Sequence, residues 1–358
     1  MTAPTAPTPI SLVHIRAQVE RTLHTFLARP HYADPRLTQA VATLGEFVLT
    51  GGKRLRPTML CLGYVAVTGH HPPPPVVRAA ASLELFHAFA LVHDDVMDDS
   101  DTRRGRPTLH RALAPGGPDG PRTGAEARIG VGKAVLLGDL AMVWSDEIFH
   151  SSGLDPAQLA AVRPVLDAMR TEIVGGQYLD VMTANDPRAS VETALDVIRH
   201  KTAKYTVERP LHLGAMLAGA EPSLLDELSS YALPLGEAFQ LRDDLLGVFG
   251  DPEVTGKSRL DDLREGKHTV LVALARRDAT PAHRRRLSRL LGRPDLDETL
   301  AEEVREILTA CGARRTVEDM IDRRRRQALS LLDTGARLHP AARELLRDHA
   351  DTATRRAT

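Results

Sequence analysis

The chain of 358 residues carries a formal net charge of −1 and an isoelectric point near 7.0, so no overall field draws it to nucleic acid or to an anionic membrane. Charged residues make up 26% of it and aromatic residues only 4%, which argues for an Ala/Leu-rich helical protein and against a β-sandwich. Cys61 and Cys311 match no metal or redox spacing and read as buried free thiols in a reducing compartment.

Met1 to Pro9 has neither a basic nor an apolar segment; residues 1–10 read as a disordered tail rather than a signal peptide. With no repeat or composition break beyond it, residues 11–358 are expected to form a single all-α domain. No apolar run reaches the roughly 18–20 residues that span a bilayer, so the expected location is the cytoplasm, without a stable membrane anchor. The spacing predicts helices over 12–27 and 37–49, the second stopping at Gly51-Gly52. An apolar segment over 58–67 follows, and Pro72 to Pro75 are expected to be a stiff, non-helical connector. A long helix is predicted over 76–101, apolar almost all round before its acids begin and therefore buried. Residues 114–124 read as a loop, then helices at 125–150, 156–182, 191–199, 202–218 and 223–249. A polar loop (250–266), a helix (269–277) and an amphipathic tail complete the chain, with Arg323 to Arg326 expected on a solvated helix face.

The long helix ends in Asp94-Asp95-Val96-Met97-Asp98-Asp99-Ser100-Asp101. A continuing helix would put Asp94, Asp98 and Asp101 on one stripe. Like charges so spaced cost about 0.2–0.5 kcal/mol per pair, and acids at a helix C-terminus oppose its dipole, so something cationic should compensate. Taken alone, the stretch could equally be solvated acidic surface. A second pair, Asp243-Asp244, lies in another apolar segment, and unpaired buried carboxylates are costly. Two such clusters on facing helices would share ions. A ligand set dominated by carboxylate oxygens points to Mg²⁺. Lys53, Arg56, Arg103 and Arg104 near one cluster, and Lys201, Lys257 and Lys267 toward the other, suit phosphate oxygens. The combination points to a metal-bridged diphosphate, against the plainer alternative of mutual salt bridges.

These residues resemble the trans-prenyl diphosphate synthases, the polyprenyl synthetase family. The resemblance runs in order through Gly51-Gly52-Lys53-x-x-Arg56-Pro57, Glu84-Leu85-x-His87, His93-Asp94-Asp95-x-x-Asp98, Arg103-Arg104-Gly105 and Gly138-Asp139. It continues through Gly176-Gln177-x-x-Asp180, Lys201-Thr202, Gln240-x-x-Asp243-Asp244 and Thr255-Gly256-Lys257. It implies an all-helical bundle around a deep cavity, a homodimer, and isopentenyl diphosphate and allylic diphosphates as substrates. By the same resemblance, three Mg²⁺ ions would join Asp94, Asp98, Asp243 and Asp244 to the allylic diphosphate, with Asp95 adjacent. Arg103, Lys201 and Lys257 would contact that diphosphate, and Lys53, Arg56, His87 and Arg104 the isopentenyl diphosphate. Thr202, Gln240 and the Lys201 carbonyl would face the developing cation. His87, read without the family, is a satisfied core histidine.

Product length in the family depends on what blocks the cavity below the first motif. Phe89, five positions before Asp94, is bulky, Ala90 is small, and Phe86 lies a turn deeper. This pattern resembles short-chain synthases that stop at geranylgeranyl diphosphate (C20), with C15 or longer products as alternatives and core packing as the plain role of Phe89. One position departs from the family: its second motif usually reads DDxxD, and here the fifth residue is Gly247. Asp251 cannot replace it, since eight helical residues span roughly 12 Å. Gly247 leaves open a non-catalytic subunit of a synthase heteromer. A class I terpene cyclase, the rival enzyme, would lack the isopentenyl site that Lys53, Arg56, His87 and Arg104 suggest.

Overall fold

The computed structural model describes residues 10–29, 32–121, 123–184, 186, 189–252, 258–335 and 337–354. The expected tail, except Ile10, lies outside the described residues, as does Lys257.

Helices follow one another from α1 (Leu12–Leu27) and α2 (Pro35–Leu49) to α3 (Leu55–Thr68) and α4 (Pro74–Met97). Then come a two-residue-per-strand hairpin, β1 (Thr102–Arg103) and β2 (Arg106–Pro107), and the short α5 (Leu109–Ala112). The long pair α6 (Gly124–His150) and α7 (Pro156–Thr183) leads to α8 (Val191–Val197), a π-helical stretch (Ile198–Glu208), α9 (Arg209–Leu217) and α10 (Pro222–Phe249). The C-terminal part holds α11 (Asp261–Glu265), α12 (Val270–Asp278), α13 (Pro281–Leu290), α14 (Glu298–Ala310), α15 (Ala313–Thr334) and α16 (Pro340–Thr354).

Local chemistry sets many starts. Asp34 caps α2 ahead of Pro35, and Asp155 with Gln158 closes a capping box on α7. Ser190 and Thr269 cap α8 and α12. The α4 helix runs through the middle of the bundle, packed on α6, α3 and α1. Among the described residues it is the helix long and apolar enough to cross a membrane by length and composition, contrary to the expectation of no such run, but two thirds (67%) of its apolar window is buried inside the bundle. It is a core helix.

Several expectations need correction. Pro74 and Pro75 are not in a connector but in the first turn of α4, where a missing N–H costs nothing. The helix stops at Met97, with Asp98 as its C-cap and Asp99 in the left-handed region at φ 50°. Asp101 therefore leaves the Asp94–Asp98 stripe and pairs with Arg111 at 3.3 Å. The break expected between residues 199 and 202 is absent, because the chain widens into a π-helix and stays continuous from α8 to α9. Arg324 and Arg325 are half-buried and paired, with Glu237 and Asp351 respectively, rather than solvated. Cys61 is buried as expected, but Cys311 is only half-buried.

One ion cluster joins α7 to the π-helix. Glu172 accepts from Lys204 Nζ at 2.7 Å and from Arg209 Nε and Nη2 at 2.8 and 2.6 Å. Burial opposes its ionisation, yet Arg209 and Lys204 hold its carboxyl down at about 2. A depressed folded-state pKa stabilises above the unfolded value and is lost as pH falls toward 2. Glu172→Gln should therefore cost about 1–2 kcal/mol at pH 7, once solvent screening of this partly exposed cluster is allowed for, and the gap should shrink between pH 4.5 and 2. Urea midpoints at pH 7 and pH 3 measure this; an equal gap at both would refute it.

Candidate active site

The acidic end of α4 meets the π-helix, α7, the hairpin and the segment around α11. Asp94 Oδ1 accepts from Lys201 Nζ and Gln177 Nε2, both at 3.0 Å, and its Oδ2 from Arg103 Nη2 at 3.3 Å. Lys201 also reaches Asp180 Oδ2 at 2.6 Å. Burial by itself would raise the Asp94 carboxyl, but Lys201, Lys267 and Arg103 outweigh it and hold it at about 2. The cations that the acid run required are thus present.

Asp95 turns the other way. It is 1% exposed, accepts from Arg103 Nε at 2.5 Å, and leaves its Oδ2 buried without a partner. Burial pushes its carboxyl up to about 6, against the pull of Arg103. Asp98 Oδ2 stands 3.2 Å from Lys267 Nζ, and the same ammonium stands 2.8 Å from Glu265 Oε2 and 3.4 Å from Asp262 Oδ1. Lys267 therefore bridges the first acidic cluster and the segment facing it. Although burial works against its charge, Asp262, Asp98, Glu265 and Asp94 keep it protonated far above the ordinary lysine range.

On α10, Gln240 links two elements: Thr202 Oγ1 donates to its Oε1 at 2.8 Å, and its Nε2 donates to Asp244 Oδ1 at 2.7 Å. Burial pushes Asp244 up to about 7, and the nearby Asp262 and Asp243 add to the rise, against the hydrogen bond from Gln240. Asp243 is half-buried one position earlier.

Gly247 is closely covered. A Cβ there would overlap Asp262 Oδ2 and stand 3.1 Å from its Cγ. Asp262 fills the space in which the fifth side chain of a DDxxD motif would begin. The sequence offered a weak signal for it, since Asp261-Asp262 falls within the stretch read as a plain polar loop.

A basic cluster lies beside these carboxylates. The turn Arg104-Gly105 has φ of 54° and 72°, the left-handed pair a tight hairpin needs. It sends Arg103 to Asp94 and Asp95, and Arg104 Nη1 to Thr50 O at 2.8 Å. Arg56 Nη2 donates to Thr206 Oγ1 at 2.8 Å, and its guanidinium lies 4.2 Å over the Tyr205 ring. Burial, then Arg56, Arg104, Arg103 and Arg54, hold His87 neutral, well below the usual histidine range. Lys53 sits at an exposed position on the Gly51-Gly52 turn. Arg54, which sequence reasoning passed over, is 3% exposed and locks this turn through Glu84 Oε2 at 2.8 Å and Val48 O at 3.0 Å.

Below Asp94 the exposures change along α4. His87, Phe89, Ala90 and Leu91 are half-buried, whereas Phe86 is 2% exposed. Phe89 packs on His93 and Phe86, with ring centroids 4.7 and 5.3 Å away.

A helical bundle with two carboxylate clusters and two lysines gathered at the end of α4 defines the class of protein to look for, and known proteins match it. The polyprenyl synthetase family model matches residues 38–308. The fold superposes on the crystal structure of geranylgeranyl pyrophosphate synthase from Corynebacterium glutamicum, complexed with isoprenyl diphosphate and magnesium, with a TM-score of 0.91 and 40% identity over 97% of this chain and 100% of that one. In sequence the chain is 32% identical over 271 residues to the geranylfarnesyl diphosphate synthase of Aeropyrum pernix, covering 75% of this chain and 79% of that protein. It is 33% identical over 276 residues to the octaprenyl diphosphate synthase of Escherichia coli, covering 77% and 78%. The chain belongs to the polyprenyl synthetase family and is a prenyltransferase similar to geranylgeranyl diphosphate synthases. The names of these relatives span several product lengths, so membership leaves length open.

Proposed function

We propose that this prenyltransferase condenses isopentenyl diphosphate with allylic diphosphates of C5, C10 and C15 in the presence of Mg²⁺ and releases mainly geranylgeranyl diphosphate. The observation that carries this reading is the meeting of Asp94, Asp98, Asp244 and Asp262 around Lys201 and Lys267 at the end of α4. Among the described residues, no three His, Cys, Asp or Glu side chains converge closely enough to hold a metal alone. An all-oxygen, incomplete ligand set suits Mg²⁺ completed by diphosphate oxygens. Asp94 and Asp98 on one side, and Asp243 and Asp244 on the other, would hold three ions with the allylic substrate. When bound, they would neutralise charge building on the departing diphosphate.

The side chains do the rest. Lys201, Lys267 and Arg103 exchange carboxylate partners for diphosphate oxygens and, with Lys257, stabilise the leaving group in a water-poor site. Arg56, Arg104 and Lys53 bind isopentenyl diphosphate, and neutral His87 donates to it. Thr202 and Gln240 turn their dipoles toward the allylic cation. The isopentenyl double bond attacks C1, and the proton it loses passes to the departing diphosphate, so no protein nucleophile is required. Asp262 supplies the carboxylate that the residue at Gly247 lacks, which favours catalysis over the non-catalytic subunit reading.

We assign the whole helical chain to one catalytic unit that works in the cytoplasm as a homodimer. An apolar stripe at i, i+7 spacing on α6, Ile129, Leu136 and Val143, lies exposed, as do Val174, Tyr178 and Val181 on α7, and exposed apolar side chains in such a row suit a subunit interface. The protein should sediment at twice its 39.0 kDa, and Leu136→Glu should halve that mass. A wild-type monomer would overturn the assignment.

The direct test is incubation with Mg²⁺, isopentenyl diphosphate and each allylic primer, then dephosphorylation and sizing of the alcohols. A dominant C20 alcohol supports the full reading. A C15 or longer product keeps the chemistry and rejects the assigned length. No condensation with any primer rejects the reading and revives the partner-subunit alternative.

A further inference from the structure

We infer that Arg170, anchored by Asp146, sets the depth of the hydrocarbon cleft by holding Phe86 in place as its floor. The inference rests on the chain-elongating activity proposed above.

Phe86 belongs to an apolar cluster with Met169, Ile173, Tyr205 and, half-buried, Met142 and Val165. One charged group stands against it. The Arg170 guanidinium on α7 lies 5.4 Å from the Phe86 ring centroid. Its Nη2 donates to Asp146 Oδ1 on α6 at 2.5 Å, while its buried Nε has no hydrogen-bond partner, which leaves the ring face as the group it lies against. Tyr205 presses edge-on to the same ring at 5.9 Å.

These contacts distinguish the two phenylalanines. Phe89 is half-buried, and its ring packs on the rings of His93 and Phe86. Phe86 is backed by a cation that is itself tied to a carboxylate. A growing prenyl chain could push Phe89 aside at the cost of packing alone. Displacing Phe86 would also put alkane against a guanidinium and forfeit its cation–π contact with the buried Phe86 ring. The two side chains start three residues apart on α4, about 4.5 Å, close to the length of one isoprene unit. Arg170 touches no reacting atom; it is a positioning residue.

The test compares product lengths in the Phe89→Ala background, whatever length that variant itself makes. Adding Arg170→Met, which keeps bulk and removes charge, should lengthen the product by at least one further isoprene unit and broaden its distribution. Adding Arg170→Lys, which keeps a cation, should restore the Phe89→Ala lengths. Should Arg170→Met fail to fold by circular dichroism, Asp146→Asn in the same background loosens the anchor alone and should also broaden the distribution. Folded, active Arg170→Met or Asp146→Asn variants with unchanged lengths would overturn the inference. A wild-type protein that condenses no primer would instead overturn the elongation reading, and this floor with it.

Discussion

Asp94→Asn should lower kcat by about a thousandfold while leaving the helical fold in place. The carboxylate gathers Lys201, Gln177 and Arg103 at the end of α4, and the cations Lys201, Lys267 and Arg103 overcome burial to keep it ionised down to about pH 2. Asparagine preserves the shape and can still face Gln177, but it removes the charge that would hold Mg²⁺. Removing one preorganised electrostatic group from an active site costs about 10²–10³ in kcat, and the loss of a direct metal ligand belongs at the upper end. The effect should fall more on kcat than on KM, because charge builds on the leaving diphosphate only as its bond breaks. Steady-state kinetics with a C15 primer measure it, with far-ultraviolet circular dichroism as the folding control. A kcat within tenfold of wild type would remove Asp94 from the proposed metal site.

Gly247→Asp provides the second large effect, and its direction runs against the family pattern. Restoring the usual DDxxD should repair the motif if nothing had replaced its last acid. In this fold the new Cβ would overlap Asp262 Oδ2, and a second carboxylate would meet the first at contact distance. The Asp262 carboxylate can turn aside from the new Cβ, so the cost lies in setting two carboxylates side by side, about 2 kcal/mol in a partly screened site. Borne by the arrangement of Asp243, Asp244 and Asp262, that cost lowers kcat/KM about thirtyfold. Gly247→Asp combined with Asp262→Gly should recover most of the loss, since one carboxylate again occupies the space. A single variant more active than wild type would mean that Asp262 does not stand in for the missing acid.

The two variants separate what could be read along the chain from what could not. The helices at 12–27, 156–183 and 222–249 follow the periodicity closely, because alternation of apolar and polar faces is a local record of burial. The residues of the proposed site, Asp94, Asp98, Asp243, Asp244, Lys201 and Gln240, could be picked out along the chain as well, through an ordered series of motifs and the cost of burying acids without cations. Gln177 and Asp180 stood inside one of those motifs, but their partners, Asp94 and Lys201, were not apparent until α7 packed against the π-helix.

By itself the sequence determined the class of fold and the family, and it marked out the two aspartate clusters and the cations from which the site is proposed. Only the tertiary structure decided where α4 ends, that residues 198–208 wind as a π-helix, that Asp262 covers Gly247, and that Arg170 backs Phe86. The physical reason is the range of the forces involved. Propensity and amphipathic spacing act over a few residues, so they leave a mark in the local pattern. The closure of a helix end, the pairing of a buried lysine and the filling of a space beside a glycine depend on groups far apart in sequence, and those meet only when the bundle is packed.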